Sequence, residues 1–391
     1  MKSLIAPYVH GTHRLVTPEQ TLASITPFLL DFGITRCADI TGLDLDLGVP
    51  TFAAIRPQAL SLQVSNGKGL TPIGAKVSAL MEAIEFHHAE NPESNRLRNS
   101  NLKSLFSDDL NVIRPEILDG YYNHFFSDNF TIDWVEGENL ISNTKVWVPA
   151  SSVYFGCQPA LHNTTTNGLA SGNHLVEATL HALYEIIERD AISKISVNGR
   201  LKIGEKCKNI NLSTIEDKSI RRIIDKIRIA QSKLILLWTK SCIPVHTFWA
   251  ILLNQNPLSP VSTLNVGFGT HLDIRVATSR AISESVQSRL TFIHGSREDI
   301  ADKPVFEAES IQSSFAFNYF DQLEVNTSWS DLYDVVECED RDLLQDFEYL
   351  LSNLSNAGHE EILQFDLTKP KYEIPVVKVI IPSLEFNQKL F

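Results

Sequence analysis

The chain has 391 residues and carries 34 Lys+Arg against 47 Asp+Glu, a formal charge of −13. With 43% hydrophobic and 21% charged residues its composition is that of an ordinary globular protein, which excludes long disorder and fibrous repeats. The acid excess argues against a general nucleic-acid or anionic-membrane binder, because phosphate backbones need clustered Lys and Arg. It leaves room for a small nucleotide, whose phosphates a metal ion can carry.

No stretch reaches the roughly 18 consecutive apolar residues of a membrane span. Met1 to Gly11 lacks the charged, apolar and cleavage regions of a secretion signal. Cys37, Cys157, Cys207, Cys242 and Cys338 are dispersed, with no CxxC pair. Such thiols predict a reduced, cytoplasmic protein.

In chain order, Thr17 to Phe32 has helical periodicity, with Pro18 where a first turn tolerates it. Residues 49–56 and 60–64 read as strands, and 65–69 as a glycine turn. Thr71 is placed to cap a helix from Pro72 through Glu90. Residues 91–130 read as a polar connection, and 132–134 with 145–148 as a hairpin. A polar loop over 163–173 leads to a helix at about 174–197. Helical spacing follows over 202–233, then strands at 234–238 and 246–253. Gly267 to Gly269 reads as a turn before a helix at about 273–290. Asp331 to Leu350 holds eight acids against one Arg, read as a solvated helix face. Residues 374–381 form a last apolar strand. No internal repeat is visible. Interleaved strands and helices predict an α/β or α+β protein. No GxxxxGK[ST] or strand-following GxGxxG occurs, so a familiar phosphate-loop or Rossmann enzyme is not expected.

Two helices carry the informative chemistry. At about 100° per residue, Glu82 and Glu85 share a face, with Ser78 one turn earlier. On the second helix Glu185 is rotated by about 80° and Glu188 by about 20° from Glu177. Stacked carboxylates repel, and no Lys stands among them. A hard divalent cation, chiefly Mg²⁺, would relieve this and bridge to phosphates. Either helix alone reads first as a solvated face, and only the two together bring a metal-nucleotide site level with it. On a third helix Arg280, Glu284 and Gln287 share a face, while Arg289 points about opposite. Arg280 is therefore the favoured anion contact, against a plain Arg280–Glu284 ion pair. Lys68, between glycines, is a second candidate, against an exposed hairpin lysine. His87, His88 and His181 lack zinc-ligand spacing, and Gly168 to Gly172 is not a GxSxG elbow. No cysteine is marked as a nucleophile.

Segments 35–44, 65–71, 78–85, 167–173, 177–190, 280–289 and 374–382, taken in order, resemble the YcaO family. The resemblance implies a YcaO-like fold of mixed sheets packed with helices, and an ATP site lined by glutamate-bearing helices. Residues 1–60 would be an N-terminal segment packing on the core, and 61–391 the catalytic domain. It implies an ATP/Mg²⁺ enzyme that phosphorylates a backbone amide oxygen of a peptide or protein. A substrate Cys, Ser or Thr then gives an azoline, or external sulfide gives a thioamide.

The family's metal-binding glutamates carry over to Glu82, Glu85, Glu177, Glu185 and Glu188, with matching separations of 3, 8 and 3. Asn173 matches a nucleotide contact, Ser78 the motif serine, and Arg189, Arg280 and Arg289 the arginine positions. Azoline-forming relatives often end in a PxPxP tail, whereas Pro382 is the last proline here. That departure favours a thioamide. The resemblance also implies a homodimer and a separate partner for substrate or sulfur delivery. A non-catalytic nucleotide-binding accessory protein is the competing reading.

Overall fold

The computed structural model describes residues 3–9, 11–123, 126–255, 264–298, 311–335 and 342–390. Thr17 caps α1 (Pro18–Ile25), its side chain accepting from Gln20 N in a reciprocal capping box. An antiparallel meander follows: β1 (Arg36–Asp39), β2 (Thr51–Ile55) and β3 (Val64–Lys68). The expected glycine turn is thus a buried strand, and the strand expected at 60–64 begins only at its last residue. The β2–β3 pairing crosses the boundary expected at residue 60. Thr71 then caps α2 (Pro72–Glu90), as its sequence predicts.

A second sheet runs β4 (Leu97–Ser100), β5 (Ile132–Asn139), β12 (Leu363–Asp366), β13 (Val376–Ile380) and β7 (Leu169–Ser171). The strand β6 (Thr144–Pro149) completes the expected hairpin with β5. Residues 91–130 are more than a connection: they hold β4 and a short helix over Leu102–Ser107, and bury Leu102 and Leu105. The helix α3 (Leu175–Ser193) follows β7 and is capped by His174.

The third sheet runs β11–β10–β9–β8, from β8 (Cys207–Asn211), β9 (Ser232–Thr239), β10 (His246–Asn254) and β11 (Leu264–His271), with the short strand Thr327–Ser328 parallel to β8 at its edge. Of the helical stretch expected over 202–233, α4 (Lys218–Ile229) is the main helix. β11 leads into α5 (Ile274–His294), capped by Asp273. In the acidic run, 336–341 lie outside the described residues, so Glu337, Glu339 and Asp340 are not placed. The helix α6 (Leu343–Asn356) carries Asp346 only 4% exposed, so that acid is not on a solvated face.

One unit recurs that the sequence does not announce. A strand with spaced glycines runs into each of the three long helices. A Cβ on Gly67 would stand 2.0 Å from Ala79 N of α2, and one on Gly267 2.2 Å from Ser285 N of α5. A Cβ on Gly172, just after β7, would stand 2.7 Å from Ala178 N of α3. These glycines let helix backbone lie directly on strand backbone. Each helix also touches a neighbouring unit: α2 meets β7, α3 meets β11, and α5 meets β3. That cyclic packing brings the acidic faces of the three helices toward one another.

Candidate active site

Glu82 and Glu85 on α2, Glu185 and Glu188 on α3, and Glu284 on α5 form one electrostatic neighbourhood. Burial pushes Glu82 up to about 7, with Glu185 and Glu284 adding to the rise and Arg297 and Lys68 opposing it. Burial, then Glu82 and Glu185, push Glu85 up to about 8, although Ser171 donates to it from N at 2.8 Å and from Oγ at 2.6 Å. Glu188 rises to about 7 through burial, with Glu284 adding to it. Glu185 is raised by burial too, despite Arg189 at 4.0 Å.

Cations reach this cluster from other elements. Lys68, the last residue of β3, donates from Nζ to Glu284 Oε2 at 2.7 Å. Burial works against the Glu284 charge, yet Lys68 and Arg189 hold the carboxyl below its ordinary value. Burial also opposes the charge on Arg189, and Glu188, Glu185 and Glu284 outweigh it. Its guanidinium lies over the Phe268 ring at 5.8 Å. Lys378 of β13 feels Glu185 and Asp119 from a buried position. The Arg280–Glu284 ion pair weighed from spacing does not form. Glu284 turns to Lys68, and Arg280 Nη1 lies 3.2 Å from His181 Nδ1.

Glu177 stands apart from the other four. It is 3% exposed and accepts from Arg14 Nη1 and Leu15 N at 2.9 Å, and from Asn173 N at 3.1 Å and Nδ2 at 3.0 Å. Burial opposes its charge, but Arg14 and these donors hold it below the usual carboxylate range. Asn173 is fixed from its other side, Oδ1 accepting from Thr21 Oγ1 at 2.8 Å. Arg14, Glu177, His181 and Arg280 line a cleft of about 400 Å³. Ser78 is half-buried on α2, one turn before Glu82. Arg289, 3% exposed, pairs with Asp44 at 2.5 and 3.1 Å.

Among the described residues no three His, Cys, Asp or Glu side chains close into a metal cage. The donor set nevertheless fits Mg²⁺. It offers only hard carboxylate oxygens, and burial holds four of them above their ordinary values. A divalent ion that keeps some waters and shares phosphate oxygens needs no closed protein cage. Sequence reasoning missed Arg14, Ser171 and Lys378 as site neighbours. Their signal was weak, since each comes from a strand or turn distant in sequence.

Buried acids on two helices, offset by Lys and Arg from elsewhere, are the chemistry that a metal ion and a nucleotide would need, in a mixed α/β fold. The model of the family described as YcaO cyclodehydratase, ATP- and Mg²⁺-binding, matches residues 66–385, and the chain belongs to that family. An uncharacterized protein of Methanothermobacter thermautotrophicus is 34% identical over 387 residues, covering 95% of this chain and 94% of its own. A Rhizobium leguminosarum bv. trifolii protein, described as lying in the tfuA 3' region, is 30% identical, covering 96% of this chain and 89% of its own.

The solved YcaO of Methanopyrus kandleri, bound with AMPPCP and Mg²⁺, has a TM-score of 0.76 at 22% identity, covering 98% and 95% of the two chains. A heterocyclase in complex with substrate and cofactor has a TM-score of 0.77 at 21% identity, covering 99% of this chain and 54% of its own. The expected YcaO fold is thereby met. ATP and Mg²⁺ are the cofactors, and the protein is an ATP-dependent enzyme of amide activation. Among the described residues no helix is long and apolar enough to cross a membrane.

Proposed function

We propose that this enzyme phosphorylates a backbone amide oxygen of a peptide or protein, and that sulfide then replaces the phosphate to leave a thioamide. The amide oxygen attacks the terminal phosphorus of ATP and ADP leaves. Sulfide adds at the activated carbon, and phosphate departs with the former amide oxygen. Amide, ATP and hydrosulfide thus balance against thioamide, ADP and phosphate. Mg²⁺ supplies charge neutralisation at the phosphates when bound. Glu82, Glu85, Glu185 and Glu188 are the residues we assign to it, with Glu177 holding Arg14 and Asn173 at the nucleotide. Arg189 and Arg280 face the transferring group. Lys68 and Ser78 complete the phosphate contacts, and Arg289 braces α5 through Asp44.

The observation that carries this reading is the set of buried carboxyls, held above their ordinary range by burial and by one another. A scaffold has no use for that arrangement. It costs stability until a cation neutralises it.

The preference for sulfur follows the resemblance alone, and residues 383–390 hold no proline. That segment is tied to α3, where Glu385 N donates to Asp190 Oδ1 and Asn387 N to Ser193 Oγ, both at 2.9 Å. An azoline former is the second reading, favoured by the structural likeness to a heterocyclase. The Rhizobium relative's place beside tfuA makes the product of a neighbouring gene the partner to test for substrate or sulfur delivery. We assign the active form as a homodimer in the cytoplasm.

The deciding experiment is intact-mass analysis of a candidate peptide incubated with enzyme, ATP, Mg²⁺ and sulfide. Exchange of one oxygen for one sulfur supports the thioamide, and loss of one water assigns an azoline. Tight ATP binding without ADP release in the presence of every partner would instead mark an accessory protein.

A further inference from the structure

A half-open cleft is lined by Lys378, which feels Glu185 of the carboxylate cluster, and by Ile186. Its apolar shoulders include Leu118, Ile186, Ile381 and Leu384. Ile186 is the residue after Glu185 on α3, so the cleft shares a wall with the proposed phosphoryl-transfer site.

Three polar side chains in its wall are already engaged. His162 is held between Ser151 Oγ and Pro115 O, both at 3.0 Å. Thr164 Oγ1 donates to Ser151 O, and Ser152 Oγ to Pro149 O. Lys378 and Asn167 keep capacity, and the Asp119 carboxyl, pushed up by burial and opposed by Lys378, stands in the same wall. Lys378, 3% exposed, gives two Nζ protons to Thr165 O and Asn167 O, each at 2.7 Å. An ammonium has three protons, so one remains. Asn167 Oδ1 is buried with no hydrogen-bond partner. An unpaired buried acceptor costs about 1–3 kcal/mol, a cost that a ligand donating to it would recover.

A spare donor and a spare acceptor in one cleft match a single chemical group, the peptide amide. We propose that this cleft receives the backbone amide that is to be modified, Lys378 Nζ donating to its oxygen and Asn167 Oδ1 accepting its N–H. The inference rests on the amide-activation reading above and specifies its acceptor subsite. Acceptance of the N–H by Asn167 moves electron density to the amide oxygen, the atom that must act as nucleophile. Lys378 fixes the direction of that oxygen beside Glu185. The recognition uses backbone groups alone, so it places no demand on the neighbouring side chains, which the apolar shoulders would accommodate.

The test uses the full chain and N-acetylglycine N-methylamide, a single blocked residue, titrated by NMR in the presence of Mg·AMPPCP. The probe is expected to bind wild type and to shift the Lys378 ammonium signal. Asn167→Leu and Lys378→Met should each weaken the probe about tenfold or more, and Asn167→Leu should retain Mg·AMPPCP affinity. Asn167→Leu keeps the backbone carbonyl that Lys378 uses and removes the side-chain amide whose oxygen is unpartnered, so it decides the matter where Lys378→Met fails to fold. Probe affinity unchanged in Asn167→Leu, or no probe binding to wild type already holding Mg·AMPPCP, overturns the assignment. Failure of wild type to bind Mg·AMPPCP overturns the parent reading and this one with it.

Discussion

Stability of the metal-free protein should fall as pH rises from about 6.5 to about 8, and Mg²⁺ should remove that fall. Folded Glu82 and Glu188 sit at about 7 and Glu85 at about 8, against 4.5 for an ordinary Glu. Through this window the unfolded chain has already lost these protons and the folded one still binds them, so the unfolding free energy declines. Each group near 7 contributes about 0.8 kcal/mol of that decline and Glu85 about 1.6, or roughly 3 kcal/mol in all.

The other perturbed groups act chiefly outside this window. His181 and the other buried histidines, lowered by burial, cost stability below an ordinary His value of 6.5, and the last of that cost, about 0.4 kcal/mol each, is regained at the start of the window and offsets part of the fall. Lys378, lowered to about 8 by burial, contributes only above that point, and with the opposite sign. The assay is urea denaturation at several pH values, in chelator and with Mg·AMPPCP. A cation bound by these carboxylates replaces their protons and flattens the profile. Glu85→Gln should remove about half the slope. A flat metal-free profile, or a slope that Mg·AMPPCP leaves intact, would refute the reasoning.

Other expectations are as direct. Glu185→Gln should abolish Mg·ATP turnover while its circular dichroism stays that of wild type, and turnover like wild type would remove it from the site. Gly67→Ala should cost more than about 3 kcal/mol or prevent folding, because its Cβ would meet the α2 backbone, which cannot yield as a side chain can. Glu177, held low, contributes stability that is present above about pH 4.5 and is lost as pH falls through its folded value. Glu177→Gln should therefore flatten the acid limb of the stability profile. Arg289→Met should destabilise by about 3–5 kcal/mol, since it leaves Asp44 buried and unpaired.

The helices that carry chemistry were legible because their signals are local. Thr71 and Pro72 mark the start of α2, and the Glu spacings put carboxylates on one face. The glycine segments at 65–69 and 267–269 misled for a physical reason. Glycine marks turns, but here it removes a Cβ where helix backbone lies against a strand, which no single-segment pattern reveals. The same holds for charge partners. Arg280 and Glu284 are one turn apart, yet Lys68, distant in sequence, takes Glu284. Glu177 belongs to a glutamate series by spacing, while its surroundings of Arg14, Leu15 and Asn173 make it a holder of the N-terminal segment. Local periodicity shows which side chains share a face, and tertiary packing decides what that face meets.

The central claim is that the amide oxygen itself is phosphorylated. It is tested most directly by placing a heavy oxygen isotope in the backbone amide of a substrate peptide and following that atom through one turnover with ATP and Mg²⁺. The account predicts the label in the released phosphate, in step with modified peptide. Label that stays in the peptide or appears in water would contradict it.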